Sequence, residues 1–203
     1  MRFDVDIALI FGISIALLYF LMRWVNERLE EKEMFKFYIY GVIFGIGIGI
    51  FQIFSPLKSL FSLILFAAFQ EGFKAILGIY KKYRGLEIFL SCTGMGIAAG
   101  ISFILYLLIS AGSYLYYVEV AVFLISYTAI QMFNGSWIGK TVIEGRAWMG
   151  FLPALFYNWG FWGILAMVSS SKSPVAMIYP LLYSLPSLYL TFRMYNLSLK
   201  ASA

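Results

Sequence analysis

The stretch Leu57–Tyr80 reads LKSLFSLILFAAFQEGFKAILGIY, and its reading decides the class of the whole chain. It is apolar around nearly its full circumference, which does not suit a helix with one face in water. At a rise of about 1.5 Å per residue, about 20 such residues cross the hydrocarbon core of a bilayer. Yet Gln70, Glu71 and Lys74 stand near its centre. One charged side chain there costs about 2.5–3.5 kcal/mol on insertion scales, so each needs a reason to be present. Spaced three apart, Glu71 and Lys74 share a helical face and can pair.

Runs of similar apolar character lie on both sides: 7–22, 37–54, 88–110, 118–137, 149–168 and 174–194. Ser55 and Pro56 separate the run 37–54 from 57–80, and proline stops one helix while permitting the start of another. The composition agrees. Hydrophobic residues are 62% of the 203 and charged ones 12%, with a mean hydropathy of +0.86. A soluble domain is about half apolar and about one quarter charged. The chain therefore reads as an all-α polytopic membrane helix bundle, one domain over 1–203, with about seven transmembrane helices. The glycine series Gly41, Gly45, Gly49 and the pair Gly96, Gly100 suit close helix packing. Asp4 and Asp6 before the first run, with no small-residue cleavage site after it, argue against a cleaved signal peptide.

Basic residues orient the bundle. Arg2, Lys58 and Lys172 fall on one side, three in all; eleven, among them Lys36, Lys81, Lys140, Arg146 and Arg193, fall on the other. Cytoplasmic loops carry the excess of Lys and Arg. The amino terminus is thus expected outside, the carboxyl terminus in the cytoplasm, and the protein in the cell membrane. The segment Arg23–Lys36, with interleaved glutamates, is expected to extend the first helix into the cytosol, and Pro180 and Pro186 to bend the last one.

Several chemistries are excluded. The chain has no histidine and one cysteine, Cys92, so neither a disulfide, a thiolate cluster nor an ordinary zinc site can form. No cofactor or metal is expected. The net charge of +5 sits in short loops between apolar runs, which fits anionic lipid headgroups and not nucleic acid. The bilayer itself is the expected partner. Gly94-Met95-Gly96 follows no strand and is no nucleotide loop.

Further polar residues lie at the depth of Glu71. Counted along ideal helices, Glu71 is about 15 Å from Lys81, Gln131 about 13 Å from Lys140, and Tyr157 and Asn158 about 16 and 18 Å from Arg146. Ser102 and Thr128 fall nearby. Taken one at a time, Thr128, Gln131 and Asn134 read as interhelical hydrogen-bonding residues. Taken together, Gln70, Lys74, Ser102, Thr128, Gln131, Tyr157 and Asn158 read as the lining of a polar cavity around Glu71.

In this order the features resemble the PrsW-type intramembrane proteases, of one superfamily with the CAAX-processing glutamic proteases and the APH subunit of gamma-secretase. The family's EExxK/R motif is matched by Gln70-Glu71-Gly72-Phe73-Lys74. Its glycine-rich helix is matched by Gly94–Gly100 running into Ser102-Phe103-Ile104-Leu105-Tyr106-Leu107. A helix ending in Gly-Lys is matched by Thr128 through Gly139-Lys140, and a Pro-x-x-x-His-x-x-x-Asp motif by Pro153 through Tyr157 to Phe161. The departures are systematic: Gln70, Ser102, Thr128, Tyr157 and Phe161 replace a glutamate, a glutamate, two histidines and an aspartate.

The resemblance implies a protease fold, with a glutamate that activates water. The substitutions imply that hydrolysis is gone and that the cavity holds transmembrane segments of other membrane proteins. Two alternatives stay open. One is an active intramembrane endopeptidase with Glu71 as its catalytic general base and Gln131, Tyr157 or Asn158 as oxyanion donors. The other is a small transporter or channel with Glu71 and Lys74 on an ion path, against which the absence of an inverted repeat speaks.

Overall fold

The computed structural model describes Ala8, residues 12–16, Tyr19, and residues 30–54, 60–81, 85–110, 117–170 and 174–200. Among these residues the chain is helical and no strand occurs. The helices are α1 (Glu31–Phe54), α2 (Leu60–Lys81), α3 (Gly85–Ser110), α4 (Tyr117–Ile143), α5 (Ala147–Ser170) and α6 (Ile178–Lys200). A 3-10 turn, Pro174–Met177, leads into α6. Most of the run 7–22 lies outside the described residues, as do Asp4, Asp6, Ser55, Pro56 and Arg23.

Helix α4 is the hub, packing on α2, α3, α5 and α6. Helix α3 joins it to α1, and α2 rests on α5 and α4. Glycines fix how closely α1 and α3 approach. A Cβ on Gly41 would collide with the backbone of Ser91, and one on Gly49 with the side chain of Ser102. One on Gly45 would stand 2.5 Å from the Met95 carbonyl. Residue numbers rise together along this seam, so the two helices run parallel. Ser91 Oγ adds a hydrogen bond to the Phe37 carbonyl at 3.0 Å. Across α3 and α4 the order reverses: Gly96 faces Thr128 and Gln131, Gly100 faces Leu124, and Gly139 faces Ile88.

The turn from α4 to α5 takes three residues. Gly145 has φ +72°, a conformation that glycine adopts without steric cost. Its N–H donates to the Val142 carbonyl at 3.0 Å, and that of Arg146 to the Thr141 carbonyl at 2.8 Å. This is the Schellman pattern that ends a helix at a left-handed residue. The alternating directions gather Lys36, Lys140, Arg146 and Arg193 toward one end of the bundle.

Many polar side chains are buried among the apolar ones of the interior, while large apolar side chains cover much of the outside. Helix α4 buries Ser126, Thr128, Gln131, Asn134 and Ser136. Helix α6 buries Ser184, Ser187 and Thr191 while exposing Leu182, Leu185 and Tyr189. Among the described residues four stretches are long and apolar enough to cross a membrane: Lys32–Phe51, Phe61–Ile79, Glu87–Leu105 and Ala147–Val168. They fall on four of the seven runs expected. Helices α4 and α6 are long enough but more polar, because part of their circumference meets protein and has no need to be apolar. An all-helical chain of this kind is compatible with a multi-pass membrane protein.

Two expectations need correction. Of the segment Arg23–Lys36, residues 23–29 lie outside the described residues, and Glu31–Lys36 belongs to α1: Glu30, just before it, is not helical, and its carbonyl accepts the N–H groups of Glu33 and Met34, both at 3.0 Å. These residues form the first turn of α1, where Glu33 complements the helix dipole. Pro180 occupies the first turn of α6, where a missing N–H costs nothing, so only Pro186 interrupts that helix.

Candidate functional site

Three helices supply the site. Helix α2 brings Gln70, Glu71 and Lys74, α4 brings Gln131 and Asn134, and α5 brings Asn158; all six are fully buried, at 0% exposure. Lys74 Nζ lies 2.7 Å from Glu71 Oε1, the i,i+3 pairing that the sequence suggested. The same oxygen accepts from Asn158 Nδ2 at 2.7 Å and from Asn134 Nδ2 at 3.1 Å. One carboxylate oxygen thus collects three donors, two of them from neighbouring helices. Hydrogen bonds to a charged acceptor are about twice as strong as neutral ones, so this atom ties α2, α4 and α5 together.

Gln70 repeats the arrangement. Its Oε1 accepts from Asn158 Nδ2 at 2.8 Å and from Gln131 Nε2 at 3.0 Å. Asn134 Nδ2 also donates to the Ala154 carbonyl of α5 at 3.1 Å. The amide nitrogens are spent on one side of the network and their oxygens are left over. Glu71 Oε2, Gln131 Oε1, Asn134 Oδ1 and Asn158 Oδ1 have no hydrogen-bond partner, nor does Gln70 Nε2. Buried polar groups are rarely left unpaired, so this concentration of open donors and acceptors sets the region apart from the rest of the interior.

Five of the seven residues expected to line the cavity share this region. Gln70, Lys74, Gln131 and Asn158 are bonded into the network. Thr128 is buried one turn away, its backbone against Gly96 and its hydroxyl unpaired. Ser102 and Tyr157 point elsewhere. Ser102 Oγ donates to the Ala98 carbonyl of its own helix at 2.9 Å, and its side chain faces Gly49 of α1. Tyr157 turns to α6, its hydroxyl 2.6 Å from the Tyr183 carbonyl and 2.7 Å from Ser187 Oγ.

That position gives Tyr157 a structural task. Pro186 lacks an N–H and distorts the carbonyls of the preceding turn. The Tyr157 hydroxyl donates to the carbonyl three residues before it. The carbonyl that Pro186 itself vacates is that of Leu182, so Tyr157 braces the adjoining carbonyl. In α5 the carbonyl that Pro153 vacates, Met149 O, accepts from Trp137 Nε1 of α4 at 3.4 Å, so there a neighbouring helix satisfies a backbone group that proline frees.

Asn134 is the site residue that reading the helices singly undervalues; its three-residue spacing from Gln131 is the signal that placed it on the same face. Tyr127 is a second. Its hydroxyl lies against Gln70 without an aligned hydrogen bond, while its ring stacks with Phe123 and Phe161. These rings and Trp162 form a hydrophobic layer beside the polar one. Among the described residues no three His, Cys, Asp or Glu side chains gather to hold a metal ion. The chemistry within reach is that of one carboxylate, one ammonium and four carboxamides. Compared with known protein families, curated proteins and solved structures, the chain finds no match.

Proposed function

We propose that this chain is a cell-membrane protein of about seven spans, amino terminus outside, with a PrsW-like intramembrane protease fold whose hydrolytic centre is replaced. Its work is to hold transmembrane segments of partner proteins through the polar cluster around Glu71. The observation that carries this reading is the commitment of Glu71 Oε1 to Lys74, Asn134 and Asn158. A general base needs lone pairs aimed at a water and a raised affinity for its proton. Glu71 Oε1 is instead filled by these three donors, Lys74 Nζ among them across the ion pair at 2.7 Å, while Oε2 is left without a partner. Tyr157, the phenol that would stand in for a family histidine as an oxyanion donor, is engaged with α6 instead.

The reading is tested by co-expressing the chain with single-span membrane proteins carrying tags at both ends. Intact substrates that cross-link to the chain are expected, in wild type and in Glu71→Gln alike with respect to cleavage. Proteolytic fragments that vanish in Glu71→Gln would replace this proposal with the endopeptidase.

A further inference from the structure

Tyr157 and Asn158 are neighbours in α5 yet face different helices, because successive residues are turned by about 100° around a helix axis. Asn158 points into the cluster, where its one nitrogen, Nδ2, donates to Glu71 Oε1 at 2.7 Å and to Gln70 Oε1 at 2.8 Å. A carboxamide nitrogen carries two hydrogens, so both are committed to acceptors on α2. Such a fork tolerates little displacement. N–H···O bonds hold between about 2.7 and 3.2 Å, so a slide or turn of α5 by about 1 Å breaks one arm.

What fixes α5 at this level lies on its other side. Tyr183 of α6 donates its hydroxyl to the Tyr157 carbonyl at 3.0 Å. That carbonyl belongs to the peptide unit joining Tyr157 to Asn158, and the unit is planar and stiff. The phenol therefore holds the backbone from which the Asn158 side chain hangs. Tyr157 answers with its own hydroxyl, which donates to the Tyr183 carbonyl at 2.6 Å and lies 2.7 Å from Ser187 Oγ. These two contacts fall on either side of Pro186. The rings stack with centroids 4.7 Å apart. Gly160 makes room for the clasp: a Cβ there would stand 2.5 Å from the Tyr183 hydroxyl oxygen. Helix α6 packs chiefly on α4, and Pro186 interrupts its backbone ladder here, so the clasp ties α5 to the stretch of α6 that its own hydrogen bonds hold least.

We propose that Tyr183 is a positioning residue of the polar cluster: its hydroxyl, seated at Gly160, holds the Tyr157–Asn158 peptide where Asn158 Nδ2 reaches Gln70 and Glu71 together. Helix α6 supplies none of the six cluster side chains and still sets their arrangement. Such a role belongs to the geometry of the cluster whatever the cluster binds, and disproving it leaves the proposed function in place.

The test is nuclear magnetic resonance of the purified full chain in detergent micelles, labelled with [15N]asparagine. Carbonyl-13C tyrosine identifies Asn158 through the Tyr157–Asn158 bond, with Tyr195→Phe removing the other Tyr-Asn bond, and carbonyl-13C phenylalanine identifies Asn134 through Phe133. Tyr183→Phe is expected to shift the Tyr157 carbonyl and the Asn158 side-chain amide signals. Exchange of the Asn158 amide protons should quicken about fivefold, the effect of one hydrogen bond. The Asn134 amide, carried by α4, should keep its shift. Gly160→Ala pushes the same hydroxyl away and is expected to reproduce these changes, adding nothing in a chain that already carries Tyr183→Phe. Tyr189→Phe, on an exposed ring of the same helix, should change neither asparagine. Each of the first two variants decides the question alone should the other not fold. Asn158 signals that stay in place overturn the positioning role. Equal movement of Asn134 and Asn158 overturns it too, since the whole cluster would then be loosening. Additive effects of Gly160→Ala and Tyr183→Phe overturn the seat at Gly160.

Discussion

Glu71 and Lys74 illustrate what a buried pair does for a bundle. Each ion gives up hydration worth several kcal/mol, and the pair regains it only with good geometry and further hydrogen bonds. Asn134 and Asn158 supply those bonds. Removing one partner strands the other, so Glu71→Gln is expected to lower stability by about 3–5 kcal/mol. Glu71→Leu with Lys74→Met should cost far less than the two single changes together, which unfolding in mixed micelles measures. Additive losses would mean that the two groups do not depend on each other. The sequence made Glu71 and Lys74 legible because ionisable residues stand out in an apolar run and their spacing places them on one face. It could not place Ser102 and Tyr157, because hydropathy fixes that a helix is buried and not how it is rotated. Ser102 turns to the α1 glycines and Tyr157 to the proline of α6, and both orientations depend on residues far away in the chain.

At the scale of elements, the parallel seam of α1 and α3 sets a contrast between glycines of one helix. Gly49→Val drives a branched side chain into Ser102, and Gly41→Val into the Ser91 backbone. Each is expected to lower the midpoint of thermal unfolding in detergent, at a cost of about 2 kcal/mol or more from overpacking. Gly47, in the same helix, has nothing within 4 Å of a built Cβ, so Gly47→Ala should leave the midpoint unchanged or raise it slightly. A uniform response of the three would remove the seam as the explanation. Tyr157→Phe has a different signature. It strips the Tyr183 carbonyl and Ser187 of their partner and is expected to cost about 1 kcal/mol. Amide exchange should quicken in α6 around Pro186 and remain unchanged in α1. The glycine stripe was readable from spacing alone, but its partner was not. Four-residue repeats announce a flat face without naming the helix that meets it.

For the molecule as a whole, the alternation of helix directions brings Lys36, Lys140, Arg146 and Arg193 to one end. Single cysteines at 146 and 193 are expected to react with an impermeant maleimide only from the cytoplasmic face of sealed vesicles, and one at 172 only from the other. Labelling of 146 and 172 from the same face would break the proposed topology. Apolar length identified the helices, and α4 and α6 are the more polar of them because the side chains that interrupt their apolar runs are buried inside the protein. The same fact bears on biosynthesis. With Ser126, Thr128, Gln131, Asn134 and Ser136 along its length, α4 partitions poorly into hydrocarbon alone, yet Glu144-Gly145-Arg146 fastens it to α5 through a single reversed residue. If the proposed membrane placement holds, so brief a link is expected to bring both segments into the bilayer as one hairpin, the lipophilic member escorting its hydrophilic companion until the remaining helices close around it.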